Sequence, residues 1–215
     1  MGRQAAIARE VASTQLKADA KVLDVGCGTG WLANELVGYG EVVATDLSPE
    51  AIAAGTKLHP GVKLVCGDFM DLELSGPFDL VLSSDSLVPM PDHAACLARI
   101  ADLQRAGGVL LLMTQNPFVW SRRSRLRAHD PSVPNGSVDQ WPDRRTVKRL
   151  LNRHYEIVSF RTICPGGDRG VLFWVENRYV RGIMARLSGS VWSRVLERVG
   201  LGQEFVVVAR RRERT

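Results

Sequence analysis

Five short apolar runs, Lys21–Val25, Glu41–Thr45, Val62–Cys66, Phe78–Ser83 and Gly108–Thr114, are each followed by a turn signal and, in most cases, a helix-length segment. Stretches such as Leu80-Val81-Leu82 and Val109-Leu110-Leu111-Leu112 are continuous rather than alternating, the pattern of strands covered by helices on both faces. This rhythm predicts βαβ units and a mostly parallel sheet with helices on both sides. Trp31–Tyr39, Pro49–Leu58 and Asp92–Arg105 read as the intervening helices. Ser48-Pro49-Glu50 supplies an N-cap, a proline at the first helical position and an acid in the first turn, and Asp92 is a second cap candidate. Gln4–Lys17 reads as an N-terminal helix. Beyond Thr114 the pattern predicts a polar loop over Ala128–Trp141, a helix over Pro142–Arg153, a strand over Tyr155–Ile163, an amphipathic helix over Arg178–Val199 and a last strand over Glu204–Ala209.

At 215 residues, with 45% hydrophobic and 24% charged side chains, the chain has the size and composition of one globular domain, 1–215. Within it the segments 1–20, 115–142 and 164–202 are expected to cover a substrate. Cys27, Cys66, Cys96 and Cys164 are spaced like neither a disulfide framework nor a zinc site, so free thiols and no metal are expected. The longest uncharged stretch, Ala106–Ser121, is 16 residues and too short to span a bilayer. With no apolar leader at the N-terminus, the expected location is cytoplasmic.

The segment Asp24-Val25-Gly26-Cys27-Gly28-Thr29-Gly30 is a strand emptying into a glycine-rich turn that opens a helix. Such a turn lets a ligand touch backbone, although glycine also serves any tight strand-to-helix turn. Its context sharpens the reading. Twenty residues after Gly26 the second strand ends at Asp46, where an acid can accept bonds from both hydroxyls of a ribose. The third ends in Gly67-Asp68-Phe69, a carboxylate for an exocyclic amine beside an apolar ring for a purine edge. A dinucleotide fingerprint would need a small residue where Trp31 stands, and no Walker lysine follows Gly30.

The run Asp24-x-Gly26-x-Gly28-x-Gly30 resembles motif I of the class I S-adenosyl-L-methionine (SAM)-dependent methyltransferases. The resemblance extends over residues 21–114 and takes in Asp46, the Asp68-Phe69 pair and Phe78-Asp79-Leu80-Val81-Leu82-Ser83-Ser84-Asp85. It implies a Rossmann-like α/β fold of seven strands, the last antiparallel and preceded by a helical insertion. It implies SAM as cofactor, leaving S-adenosyl-L-homocysteine as product. Residues Gly26, Cys27, Gly28 and Gly30 would pass under the methionine part, with Asp24 orienting the loop and the amino group. Asp46 would hold the ribose, Leu47 would pack on adenine, Asp68 would take the adenine amine, Phe69 would flank the ring, and Ser84 would face the methionine end.

Methyl transfer from a sulfonium is an in-line displacement that needs alignment and exclusion of water, plus a base where the acceptor carries a proton. Base candidates are Asp85, at the tip of the fourth strand, and His93, just past it, with His129 and His154 further on. Amino-methyltransferases of nucleic-acid bases carry an N/D/S-P-P-Y/F motif after the fourth strand. Ser83-Ser84-Asp85-Ser86-Leu87 stands there instead, so no DNA partner is expected, and Asn116-Pro117-Phe118 reads as a turn.

The net charge of +5 hides a division: residues 1–121 sum to −6, 122–153 to +6, 154–177 to −1 and 178–215 to +6. The expected function is methylation of oxygen or nitrogen on a small-molecule acceptor, the arginines being solvated or gripping an acidic group. A second reading puts the reaction at a membrane, with 178–199 as an interfacial helix reaching a lipid-like or quinone-like acceptor. RNA methylation, through Arg122–Arg127 and Arg210-Arg211-Arg212, ranks below both, as does a non-catalytic SAM-binding regulator. The sequence does not specify an oligomeric state.

Overall fold

A computed structural model of the chain describes residues 3–14, 16–121, 141–165 and 200–213. Among them, β1 (Ala20–Val25), β2 (Gly40–Asp46), β3 (Lys63–Cys66), β4 (Phe78–Ser84), β5 (Gln104–Gln115), β6 (Tyr155–Pro165) and β7 (Gly202–Arg211) form one sheet in the order β3-β2-β1-β4-β5-β7-β6. β1 to β5 pair in parallel, while β7 is antiparallel to both β5 and β6. This is the seven-stranded Rossmann-like sheet that the resemblance implies. The expected helix over Arg178–Val199, the Arg122–Arg127 stretch, His129 and all of the expected loop over Ala128–Trp141 except Trp141 itself lie outside the described residues.

The continuous apolar runs bury both faces of the central strands. Val22, Leu80, Leu82, Leu111 and Met113 point to one layer, built with Ile7 and Val11 of α1 (Arg3–Ser13) and Leu32 and Ala33 of α2 (Trp31–Asn34). Leu23, Val25, Val81, Leu110 and Leu112 point to the other. That layer is closed by Leu97 and Ile100 of α4 (His93–Leu103) and, further on, by Val147 and Leu151 of α6 (Arg144–Leu151). Each fully buried aliphatic side chain contributes about 1.5–3 kcal/mol, so these layers hold the strand ends in place. α3 (Pro49–Leu58) begins on its expected cap, the Ser48 hydroxyl accepting from the Ala51 amide at 3.1 Å. Asp92 caps α4 by accepting from the Ala94 and Ala95 amides at 2.8 and 2.9 Å.

The element bounds depart from expectation in instructive places. Trp31–Tyr39 is not one helix: α2 stops at Asn34, and a 3-10 turn covers Val37–Tyr39. The chain must swing back at once to pair Gly40 with Ala20, and a β-carbon at Gly40 would sit 2.1 Å from the Ala20 carbonyl oxygen. The N-terminal helix ends at Ser13, not Lys17, where the Ser13 and Thr14 hydroxyls donate back to the Glu10 and Val11 carbonyls at 2.6 Å. β5 starts at Gln104, earlier than the apolar run, through a register shift opposite Phe78–Leu80. Among the described residues no helix is long and apolar enough to cross a membrane.

Candidate active site

β1 has β2 on one side and β4 on the other, so the strand order reverses there and a crevice opens beyond their carboxyl ends. The glycine loop lies in it. Gly26, Gly28 and Gly30 have φ of +71°, +56° and +78°, the left-handed region that side chains disfavour. The Gly26 and Cys27 amides donate to the Thr45 carbonyl at 2.8 and 2.9 Å, which ties the loop to the end of β2. A β-carbon at Gly26 would meet the Ser86 β-carbon at 2.4 Å, so the loop packs directly under the segment after β4. At Gly28 it would meet nothing within 4 Å: the backbone faces open space.

Asp46 closes the loop from β2. Its Oδ2 accepts from the Gly28 amide at 2.7 Å and its Oδ1 from the Ser48 amide at 2.9 Å. Asp24 is its opposite. The side chain is buried, and neither carboxylate oxygen has a hydrogen-bond partner. Burial, with the Asp46 charge added to it, pushes the Asp24 carboxyl up to about 7. Burial, followed by the Asp24 and Asp46 charges, pushes the neighbouring Cys27 thiol up to about 12.

Two cavities divide the crevice. The larger, about 390 Å³, is lined by Thr45, Asp46, Leu47, Asp68, Phe69 and, across from them, Asp85 to Pro91 in part. The smaller, about 190 Å³, lies over the loop and is lined by Asp24, Cys27, Gly28, Trp31, Ser84 and Asp85, among others. Gly26 and Asp85 belong to both. Leu47 is 71% exposed, an apolar side chain at the rim, whereas Phe69 is buried. Asp68 accepts from the Met70 amide at 2.8 Å.

Asp85 is held at the junction by its backbone. It is the sole non-glycine residue with positive φ among those described, at +60°, its amide donates to the Met113 carbonyl at 3.0 Å, and its Oδ1 accepts from Gln115 Nε2 at 2.7 Å. Such strain is tolerated where surrounding contacts over-determine it. The structure therefore brings Asp24, Gly26, Cys27, Gly28, Asp46, Leu47, Asp68, Phe69, Ser84 and Asp85 to one crevice, and Gly30 ends its loop. His93 is the first residue of α4 and lines neither cavity. His154 precedes β6 at the opposite end of the sheet, and its carbonyl accepts from Arg211 and Arg212. Asn116 is committed to structure: it caps α5 (Pro117–Trp120) and donates to the Gly200 and Gly202 carbonyls at 3.2 and 2.8 Å. Sequence reading missed Gln115 and Met90, which reach the site from separate segments; the Pro89-x-Pro91 pattern was the one available signal for the rim.

Comparison with known proteins agrees with this geometry. Residues 2–156 match the family model described as a methyltransferase domain. The chain is 40% identical to a trans-aconitate 2-methyltransferase of Deinococcus radiodurans, over 83% of this chain and 76% of that one. It is 37% identical to a ubiquinone biosynthesis O-methyltransferase of Xanthomonas euvesicatoria over 50% of this chain, a match that spans only 48% of that relative. In fold it is similar to an S-adenosylmethionine-dependent methyltransferase from Mesorhizobium loti (TM-score 0.65, 19% identity, 94% and 96% of the two chains). It is also similar in fold to one from Aquifex aeolicus (TM-score 0.61, 13% identity, 95% and 88%). With its loop, strand-end acids and reversed strand order in place, the chain belongs to the methyltransferase-domain family and is a class I SAM-dependent methyltransferase.

Proposed function

We propose that the protein methylates an oxygen or nitrogen of a small-molecule acceptor, and that Asp85 takes the acceptor proton. The observation that carries this is the placement of Asp85 at the junction of the two cavities, in a left-handed conformation anchored by Gln115. The relatives support the acceptor class, since their names specify trans-aconitate and a step of ubiquinone biosynthesis.

The chain fits the cofactor. The buried Asp24 carboxylate, without a hydrogen-bond partner beside the glycine loop, is the counter-charge that a cationic amino group requires. SAM, when bound, supplies an electrophilic methyl group on a positively charged sulfur. Asp24 would hold the methionine amine, and the loop Gly26, Cys27, Gly28 and Gly30 would bring bare backbone beneath it, with Ser84 on the facing side. Asp46 would hold the ribose: each of its oxygens already accepts one amide and retains capacity for a hydroxyl. Leu47 and Phe69 would sandwich the adenine edge, and Asp68 would take its amine. Three carboxylates, Asp24, Asp46 and Asp85, favour the sulfonium, and a base at Asp85 suits hydroxyl or amine acceptors that lose a proton on transfer, whereas a carboxylate acceptor would need none. Asp85 is preferred to His93 as the base because His93 lines neither cavity. Free Cys27, Cys66 and Cys96 suit a cytoplasmic setting.

Calorimetric titration with S-adenosylhomocysteine tests the cofactor assignment, and absence of binding by the wild type would sink it. Incubation with methyl-labelled SAM and a panel of carboxylic acids, phenols and amines tests the acceptor. Transfer confined to macromolecules would overturn the small-molecule reading. The ubiquinone-pathway relative favours one variant, a quinone-like acceptor at a membrane surface; retention of the protein in the supernatant with anionic liposomes would remove it.

A further inference from the structure

We infer that Arg99, on α4, is the positioning residue that sets the Asp68–Phe69 pair and so gives the site its preference for adenine. The inference rests on the reading of the larger cavity as the adenosine slot.

The turn after β3 is built from both ends. At its start Asp68 caps its own backbone: Oδ1 accepts from the Met70 amide, and its carbonyl accepts from the Asp71 and Leu72 amides at 3.0 Å. At its end the carbonyls of Phe69 and Leu72 lie between β3 and β4, outside the sheet ladder. Arg99 takes both, Nε donating to the Phe69 carbonyl at 2.7 Å and Nη2 to that of Leu72. Its guanidinium also lies over the Phe69 ring, 5.3 Å from the centroid. Only a planar fork with several donors can hold two carbonyls and cover a ring together.

Those donors are committed to the turn, so Arg99 acts on a ligand through Phe69 and Asp68. α4 is in turn packed rigidly: Cys96, Leu97 and Ile100 are fully buried in the layer beneath β4 and β5. The clamp therefore references the adenine-facing acid and ring to the sheet itself, across 27 and 30 residues of sequence. The ring and the carboxylate stand at the larger cavity's edge, where a displacement of about 1 Å costs a hydrogen bond its geometry.

The test compares two ligands that differ only at the base: S-adenosylhomocysteine and S-inosylhomocysteine, whose 6-oxo group replaces the amine. Both are titrated calorimetrically into the wild type, Arg99→Lys and Arg99→Met. The wild type is expected to prefer the adenine ligand about tenfold, the low end of what one hydrogen bond to a charged group is worth. Arg99→Met should bind S-adenosylhomocysteine about tenfold more weakly and lose most of that preference, with Arg99→Lys between the two. The ratio of affinities is taken on one preparation, so a partly unfolded variant scales both ligands alike and leaves the ratio readable. Arg99→Met with wild-type affinity and intact preference would overturn the proposal and leave the adenosine slot standing. A wild type without base preference overturns the slot reading and the clamp with it.

Discussion

The two halves of the crevice are built on opposite principles. In the larger, the carboxylates assigned to the nucleoside are engaged by backbone: Asp46 takes two amides, Asp68 takes one, and the turn that carries Asp68 is closed by Arg99. In the smaller, Asp24 is buried with both oxygens unpartnered, and its carboxyl is pushed up to about 7. The first half is complete as folded. The second carries an electrostatic cost that a cation would relieve, and so ties cofactor binding to protonation. Affinity for the neutral nucleoside end should therefore depend on geometry, and affinity for the amino-acid end on charge.

Removing the link between the halves should have the largest effect. Asp46 holds the Gly28 amide and is assigned the ribose, so Asp46→Ala loosens the loop and removes two acceptors at once. S-adenosylhomocysteine affinity should fall by about 100-fold or more in calorimetry; retention within a few fold would break the assignment.

The next largest effect is the pH dependence. A cationic amine binds the ionised Asp24, so the protonated fraction of the free protein opposes binding. With a carboxyl near 7, lowering the pH from 7.5 to 5.5 should weaken S-adenosylhomocysteine by roughly 25-fold, with proton release on binding. Calorimetry in buffers of different ionisation enthalpy reads that proton directly. In Asp24→Asn the slope should vanish, whereas in Asp68→Asn it should persist, which separates the charged half from the geometric one.

How much of this was legible beforehand follows from how local each feature is. Continuous runs such as Leu110-Leu111-Leu112 announce a strand covered on both faces, and Asp24, Asp46 and Asp68 are strand-end acids whose spacing repeats with the βα unit. These are short-range signals. The features that escaped depend on distant contacts. Gln115 reaches Asp85 across 30 residues, Arg99 reaches the Asp68 turn across a similar span, and the break after Asn34 is forced by pairing with Ala20. The state of Asp24 was hidden for another reason: its residue type was visible, but its missing partners are a property of the packed interior.

A smaller effect separates space from strain in the glycine loop. Gly28→Ala adds a β-carbon to open space at φ +56°, costing about 1 kcal/mol of backbone strain, yet that carbon occupies the face assigned to the cofactor. Binding should weaken about tenfold with little loss of melting temperature. Gly26→Ala, driven against the Ser86 β-carbon, should lower the melting temperature whether or not ligand is present. Equal behaviour of the two variants would remove the distinction between a face kept bare for ligand and one kept bare for packing.

The last effect is on the stability of the free protein rather than on affinity, and its sign is the informative part. A carboxyl raised from 3.8 in the unfolded chain to about 7 in the fold favours folding at low pH. That contribution is fully present below pH 4 and is lost as the pH rises through about 7, where an unpaired charge must be buried. Asp24→Asn removes the charge and keeps the shape. At pH 8 it should therefore raise the melting temperature of the free protein by about 5 °C, corresponding to ~2 kcal/mol, with the gap narrowing at pH 5. Saturating S-adenosylhomocysteine should reverse the order, because the ligand stabilises the wild type by its binding free energy and the variant by less. Scanning calorimetry at two pH values, with and without ligand, reads all four states. An Asp24→Asn protein less stable than wild type without ligand at pH 8 would mean that Asp24 is a structural group rather than a charge held ready for the cofactor.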